Sequence, residues 1–273
     1  MGVISSKRGN KTRTLTLDRG RGAKSTMVLK LYPHSWLLIV SGRSRIYVDP
    51  AYLEHFHGGS ATRIEYGRGP AGVDGLPEPL EKGDLILITH GDADHMNPLT
   101  IDRLRDEQTQ VFAPRVCAHR LGAFVSPVSE GDELSLGDIG IEVVPAYNTP
   151  EGRSTNKHHV RGESVGYVID IGGRRIYHAG DTDLIPEMSR LERVDVALLP
   201  IGGTYTMDLD EAVEAALAIE PELAIPMHTR MEADPKEFVR RLKERNAGIR
   251  AIAPETGQPI ELTKRSGISS YGG

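Results

Sequence analysis

The sequence predicts an α/β protein in which two mixed β-sheets pack face to face with helices on their outer surfaces, an αββα sandwich. Two observations carry that reading. Short β-rich runs come in two successive groups, one from residue 27 and one from residue 131, and each group is closed by segments with helical spacing. A chain of 273 residues with 38% hydrophobic content is also long enough for one large two-layered domain and too short to require two.

The first half opens with strands at 27–31 and 36–40 on either side of Pro33-His34-Ser35. A third strand, 45–48, ends at Asp49-Pro50, so a meander of antiparallel strands is expected. Residues 55–83 lose periodicity, with His55 and His57 among glycines, and read as a long loop or lid. Residues 85–88 are a continuous apolar run without helical spacing, which fits a strand buried on both faces. A short helix at 98–107, a strand at 110–113 and a helix at 116–124 stopped by Ser126-Pro127 follow.

The second half reads as strands at 133–136, 139–146, 166–171 and 175–178, with Gly172-Gly173 as a tight hairpin turn. After an apolar strand at 194–200, Asp208 and Glu211 form a capping box. They open a helix whose stripe is Leu209, Ala212, Val213, Ala216 and Leu217. A strand at 223–226 and a helix opened by Asp234-Pro235 complete the pattern; Phe238, Val239 and Leu242 of that helix face inward and Gly248 stops it.

Charge is uneven along the chain. Residues 1–24 hold seven Lys or Arg against Asp18 alone, leaving 26 basic and 37 acidic side chains in the remainder, a balance of −11. Residues 1–26 are therefore expected to be a basic, flexible extension with at most a short strand at 12–17, and residues 27–273 a single domain. A nucleic-acid contact through 1–24 is the less favoured use of that charge. No apolar run approaches a membrane span and no leader pattern is present, so a cytoplasmic protein is expected. Cys117 is the single cysteine, so a bound metal would be held by His and carboxylates.

The chemistry concentrates just after 85–88, where His90, Asp92, Asp94 and His95 fall within six residues. A core would not accept that density unless the groups were paired or bound to metal. His90 and Asp92, at alternate positions, can point the same way, while Asp94 and His95 diverge, a geometry that two adjacent metal ions would satisfy. Thr89-His90-Gly91-Asp92-Ala93-Asp94-His95 resembles the H-x-H-x-D-H signature of the metallo-β-lactamase superfamily, with Asp92 where that family has its second His. Tyr177-His178-Ala179-Gly180-Asp181-Thr182 and Ile225-Pro226-Met227-His228 also resemble that superfamily. The resemblance implies that Asp181 bridges two metals and that His228 is the last ligand.

The resemblance extends over residues 27–263. It is similar in detail to a branch of uncharacterised metal-dependent hydrolases related to ascorbate-phosphate lactonases and N-acyl phosphatidylethanolamine phospholipases. Pro33-His34-Ser35, Asp49-Pro50 and Leu199-Pro200-Ile201-Gly202-Gly203 carry that likeness. A second departure is Asn148, which stands where the third His of the first site is expected; its carbonyl oxygen is a weaker, harder ligand. His158 and His159 could reach in instead, or lie exposed on their loop.

What the resemblance implies is metal-activated hydrolysis of a lactone, ester, amide or phosphodiester. Two divalent ions, Zn2+ first with Mn2+ or Fe2+ as alternatives, would lower the pKa of a shared water. Asp94 would ligate and orient the nucleophile, and His34 would contact substrate or the developing oxyanion. Three other readings stay open: a diiron-type redox site, although its relatives carry a flavin domain for which this chain has no room; a degenerate metal-binding or ligand-sensing protein; and a nuclease using the basic tail. With oxygen donors at 92 and 148, the first site is expected to hold zinc less tightly than the second.

Overall fold

The protein is described by a computed structural model covering the backbone of residues 3–8 and 11–16, and residues 26–51, 78–229 and 233–263. His55, His57 and most of the expected 55–83 lid lie outside the described residues. Residues 78–83 contain neither helix nor strand.

Two sheets face each other. In the seven-stranded sheet, β3 (Met27–Leu31), β4 (Leu37–Ser41) and β5 (Ser44–Val48) form the expected antiparallel meander. The chain then adds β6 (Leu85–Leu87), β7 (Gln110–Pro114) and β8 (Val125–Val128) in parallel, and β16 (Ile260–Leu262) closes the other edge against β3. Helices α1 (Pro98–Leu104) and α2 (Arg115–Leu121) are the crossovers. The other sheet has nine strands. Here β9 (Glu133–Leu136), β10 (Ile139–Pro145), β11 (Val165–Ile171) and β12 (Arg174–His178) are antiparallel, and β13 (Val196–Pro200), β14 (Leu223–Met227) and β15 (Arg250–Ala251) continue in parallel. Crossovers α3 (Leu209–Ile219) and α4 (Pro235–Arg245) cover its outer side. At its far edge, β1 (Val3–Arg8) pairs with β9 and with β2 (Lys11–Thr16), the segment nearest the short strand expected at 12–17.

Side-chain alternation builds the layers. Leu37, Ile39, Ile46, Val48, Leu85 and Leu87 join the core between the sheets, together with Ile141, Val143, Ile169 and Leu198 from the opposite sheet. Their neighbours Leu38, Tyr47, Ile86 and Ile88 point the other way and pack with Ile101 and Leu104 of α1 and Cys117 of α2. Because successive strand residues face opposite sides, a strand covered on both faces must be apolar throughout, as 85–88 is. The hairpin at Gly172-Gly173 closes with φ of 59° and 74°, values that glycine adopts at little cost, and it sets the register Ile171 opposite Arg174.

Two local expectations are corrected. The helix expected at 116–124 ends at Leu121, and Val125–Val128 is a strand, because Pro127 sits on an edge strand where its missing N–H leaves no ladder bond unmade. The capping box of α3 is one-sided: Asp208 accepts from Glu211 N at 2.8 Å, but the Glu211 carboxylate accepts from Arg153 N at 3.1 Å and so ties down a loop.

Candidate metal centre

All the candidate residues gather at one end of the sandwich, beyond the carboxyl ends of β6, β12 and β14, where parallel strands leave a crevice. His90 to His95 follow β6, Asp181 follows β12 and His228 follows β14. His34 enters from the β3–β4 turn. Gly180 makes the β12 exit possible: its φ is 64°, and a Cβ there would lie 2.7 Å from Val165 O. His34, Asp49 and His228 also hold left-handed backbone, at φ of 65°, 49° and 48°, and His228 N donates to His34 O at 2.8 Å. Such strain in non-glycine residues is retained where surrounding contacts over-determine the geometry, as at functional sites.

Asp181 is the centre of the arrangement. Its Oδ2 lies 3.1 Å from His228 Nε2, 3.6 Å from His159 Nε2 and 3.9 Å from His90 Nε2, and its Oδ1 lies 3.3 Å from His95 Nε2. Asp94 Oδ2 is 3.6 Å from both His228 Nε2 and His34 Nδ1. Asp92 Oδ2 stands 3.6 Å from His90 Nε2, 3.7 Å from His159 Nε2 and 3.3 Å from His158 Nε2. These contacts resolve into four groups of potential ligand atoms: His90, His159 and Asp181; His95, Asp181 and His228; His34, Asp94 and His228; and Asp92, His158 and His159. The clusters are able to coordinate one or two divalent ions, and Asp181 is common to two of them.

The outer hydrogen bonds fix which ring nitrogen faces inward. Buried Asp49 accepts from Thr89 N at 2.7 Å and from Thr89 Oγ1 at 2.6 Å, and lies 2.7 Å from His95 Nδ1. Since Thr89 gives its proton to Asp49, its oxygen accepts from His90 Nδ1 at 3.0 Å. His159 Nδ1 donates to Tyr205 O at 3.1 Å. With Nδ1 protonated in all three rings, each presents an Nε2 lone pair to the cavity, where His90 Nε2, His95 Nε2, His159 Nε2 and Asp181 Oδ1 are buried without a hydrogen-bond partner among the described residues. Lone pairs converging on a carboxylate repel one another unless a cation lies between them, so the residues fit a metal ion.

Proton affinities carry the same demand for positive charge. Burial pulls His228 down, yet the Asp181 carboxylate beside it pushes it up to about 9. His95 is likewise raised despite its burial, by Asp181 and Asp49. Asp181 is held well below the carboxylate range although burial opposes it, because His228 and His95 face it. His90 is lowered by burial and by neighbouring His95.

Asn148 braces the loop that carries His159. Its carboxamide is taken up by hydrogen bonds: Oδ1 accepts from His159 N at 2.8 Å, and Nδ2 donates to Tyr205 O at 2.8 Å and to Ser154 Oγ at 3.2 Å. Asn148 N donates to His159 O at 2.9 Å, closing the 148–159 loop on itself. The carboxamide thus holds the loop that carries His159 into the cavity. Lys157 and Thr149 N fasten the same loop to buried Asp183, at 3.0 and 2.9 Å. Sequence reasoning assigned no role to Asp49, Thr89 or Lys157. The signal for the first was the Asp49-Pro50 pair that closes an apolar strand and carries part of the family likeness.

A paired His and carboxylate centre of this kind, set at the open end of a face-to-face sandwich, defines a metal-dependent hydrolase as a class. The chain belongs to the metallo-β-lactamase superfamily, its residues 29–228 matching the Beta-lactamase superfamily domain. It is 32% identical over 203 residues to a UPF0173 metal-dependent hydrolase of Archaeoglobus fulgidus, covering 69% of this chain and 85% of that one. The UPF0173 metal-dependent hydrolase of Thermoplasma acidophilum is 37% identical over 200 residues, covering 68% and 84%. Among solved structures, Igni18, a novel metallo hydrolase from the hyperthermophilic archaeon Ignicoccus hospitalis, superposes with a TM-score of 0.66 at 27% identity, covering 87% of this chain and 99% of that one. No helix among the described residues is long and apolar enough to cross a membrane.

Proposed function

We propose that the protein hydrolyses a lactone, ester, amide or phosphodiester of a small molecule, with Asp181 joining two ion sites. The observation that carries this reading is the placement of both Asp181 oxygens against His90, His159, His95 and His228, in a cavity where His90 Nε2, His95 Nε2, His159 Nε2 and Asp181 Oδ1 are buried without a hydrogen-bond partner among the described residues. His90, Asp92, His159 and Asp181 would hold the first ion, and Asp94, His95, Asp181 and His228 the second. When bound, the ions supply Lewis acidity and lower the pKa of water, with zinc the first choice and manganese or iron also suited to mixed imidazole and carboxylate donors.

The chain's own residues do the rest. Asp94, with its carboxylate turned toward both His228 and His34, orients the attacking water and accepts its proton. His34, buried and edge-on to His228 at 4.7 Å between ring centroids, would contact the substrate or the developing oxyanion. Asp49 holds His95 in one tautomer. Counting His159 in place of Asn148 gives each site two imidazoles and two carboxylates, so the first site is not the poorer in nitrogen donors that the sequence implied. The resemblance of the sequence motifs to lactonases and phospholipases suggests the substrate panel.

The test is turnover of lactone, ester, amide and phosphodiester substrates by protein loaded separately with zinc, manganese or iron. Hydrolysis of one class that is lost in Asp181→Ala supports the proposal. Stoichiometric metal binding with no turnover of any class would instead favour a ligand-sensing protein.

A further inference from the structure

Asp92 replaces an imidazole with a carboxylate, and its surroundings give that substitution a use. An imidazole Nε2 offers one lone pair in one direction, whereas a carboxylate can face two partners at once. Asp92 does so. Inward it meets His90 and His159; outward its Oδ2 is 3.3 Å and its Oδ1 3.5 Å from His158 Nε2. The side chains grade from solvent to interior: His158 is 53% exposed and Asp92 42%, while His159 is 2% and Asp181 4% exposed. Successive donor atoms along this line are 3.3, 3.7 and 3.6 Å apart. His158 is steadied by ring contacts with His159 at 5.1 Å and Tyr205 at 5.7 Å. His159 Nε2, buried and without a hydrogen-bond partner among the described residues, points into both the outer group and the inner one.

We propose that His158, Asp92 and His159 form an outer divalent-cation site that loads the buried first site, the ion moving inward from His158 to Asp181 by exchanging one donor at a time. The proposal rests on the reading of His90, His159 and Asp181 as ligands of the first ion. A hydrated ion cannot reach a fully buried donor set in one step without shedding its water before it has gained ligands, and a metal site needs a route of entry. The ladder supplies replacement donors at each stage. Partly exposed carboxylate charge at the outer end also attracts the cation.

A loading site differs from a resident ligand in its kinetics. Removing a resident ligand speeds release and weakens equilibrium binding. Removing a relay slows uptake and release by one factor and leaves the equilibrium unchanged. Metal-free full-length protein is mixed with Co2+ in a stopped-flow instrument and uptake is followed by visible absorption; release is followed on mixing the loaded protein with EDTA. The phase lost in His159→Ala belongs to the first site. His158→Ala, at a half-exposed position, is expected to slow both uptake and release of that phase about tenfold while the Kd stays within about twofold, a separation of rate from affinity that only an entry route produces. Asp92→His, which keeps an inward imidazole but loses the two-sided carboxylate, is expected to slow uptake as well, and because Asp92 is also a ligand of the first ion the Kd, which His158→Ala leaves in place, is expected to change. Unchanged rates in His158→Ala, or faster release with unchanged uptake, overturn the relay and leave the first site standing. Wild-type protein that shows no phase sensitive to His159→Ala overturns the first-site reading and the relay together.

Discussion

Asn148→Ala separates a ligand from the residue that positions it. The substitution removes the acceptor of His159 N and the donors to Tyr205 O and Ser154 Oγ, bonds of 2.8, 2.8 and 3.2 Å. At a net of about 0.5–1.5 kcal/mol each, less for the longest, the docked loop loses about 2–3 kcal/mol. If the first ion binds only when the loop is docked, that loss lowers its apparent affinity about thirty- to one-hundredfold, at 1.4 kcal/mol per factor of ten. The same range is typical when a group that orients a metal-binding histidine is removed, about 10–100-fold. The second site, built on Asp94, His95 and His228, should keep its affinity. Isothermal titration of the metal-free protein with Zn2+ reads both sites. A companion variant sharpens the result: His159→Ala should lose the first ion, and adding Asn148→His should restore it by placing an imidazole at the end of β10. Two unchanged sites in Asn148→Ala, or no recovery in the double variant while circular dichroism shows it folded, would refute the relocation of the ligand from 148 to 159.

Asp181→Ala should reduce the bound metal measured by mass spectrometry at both sites and abolish hydrolysis; retention of two ions would remove its bridging role. Asp49→Asn keeps the shape but replaces a charged acceptor of three short contacts by a neutral amide. With charge-assisted bonds contributing about 1.5–3 kcal/mol each, it should destabilise the fold by at least about 2 kcal/mol in urea unfolding and weaken the second ion about 10–100-fold. Cys117 is fully buried, and that burial, opposed in part by Arg120, pushes its thiol up to about 12. Thiolate is the reactive form and becomes scarcer as pH falls below the pKa, so at pH 8 only about one thiol in ten thousand is ionised, against about one in four for an ordinary cysteine. Iodoacetamide should leave native protein unlabelled at pH 8 and modify it readily in urea; rapid labelling of the native form would contradict the packing of α2 on its sheet.

Local sequence determined the elements whose signal is local. The apolar run at 85–88, the hairpin at Gly172-Gly173 and the stripe of α3 follow from alternation, turn chemistry and helical spacing, and the face-to-face sandwich follows from their order. The order of His90, Asp92, Asp94, His95, Asp181 and His228 was also legible, because each stands at or just beyond a strand end, where the chain turns toward the crevice. Tertiary structure decided the rest. Strands β8 and β16 form because a neighbouring edge offers them partners, and nothing in four or three residues can announce that. Whether Asn148 or His159 faces the cavity depends on where a long loop docks, through Tyr205 O, Asp183 and Glu211, contacts made between residues far apart in the chain. Asp49 acquires its role only when β5 and β6 lie side by side and bring it to Thr89 and His95. The sequence thus names the donors that follow strands, and the fold alone selects the donors that ride on loops and the buried groups that aim them.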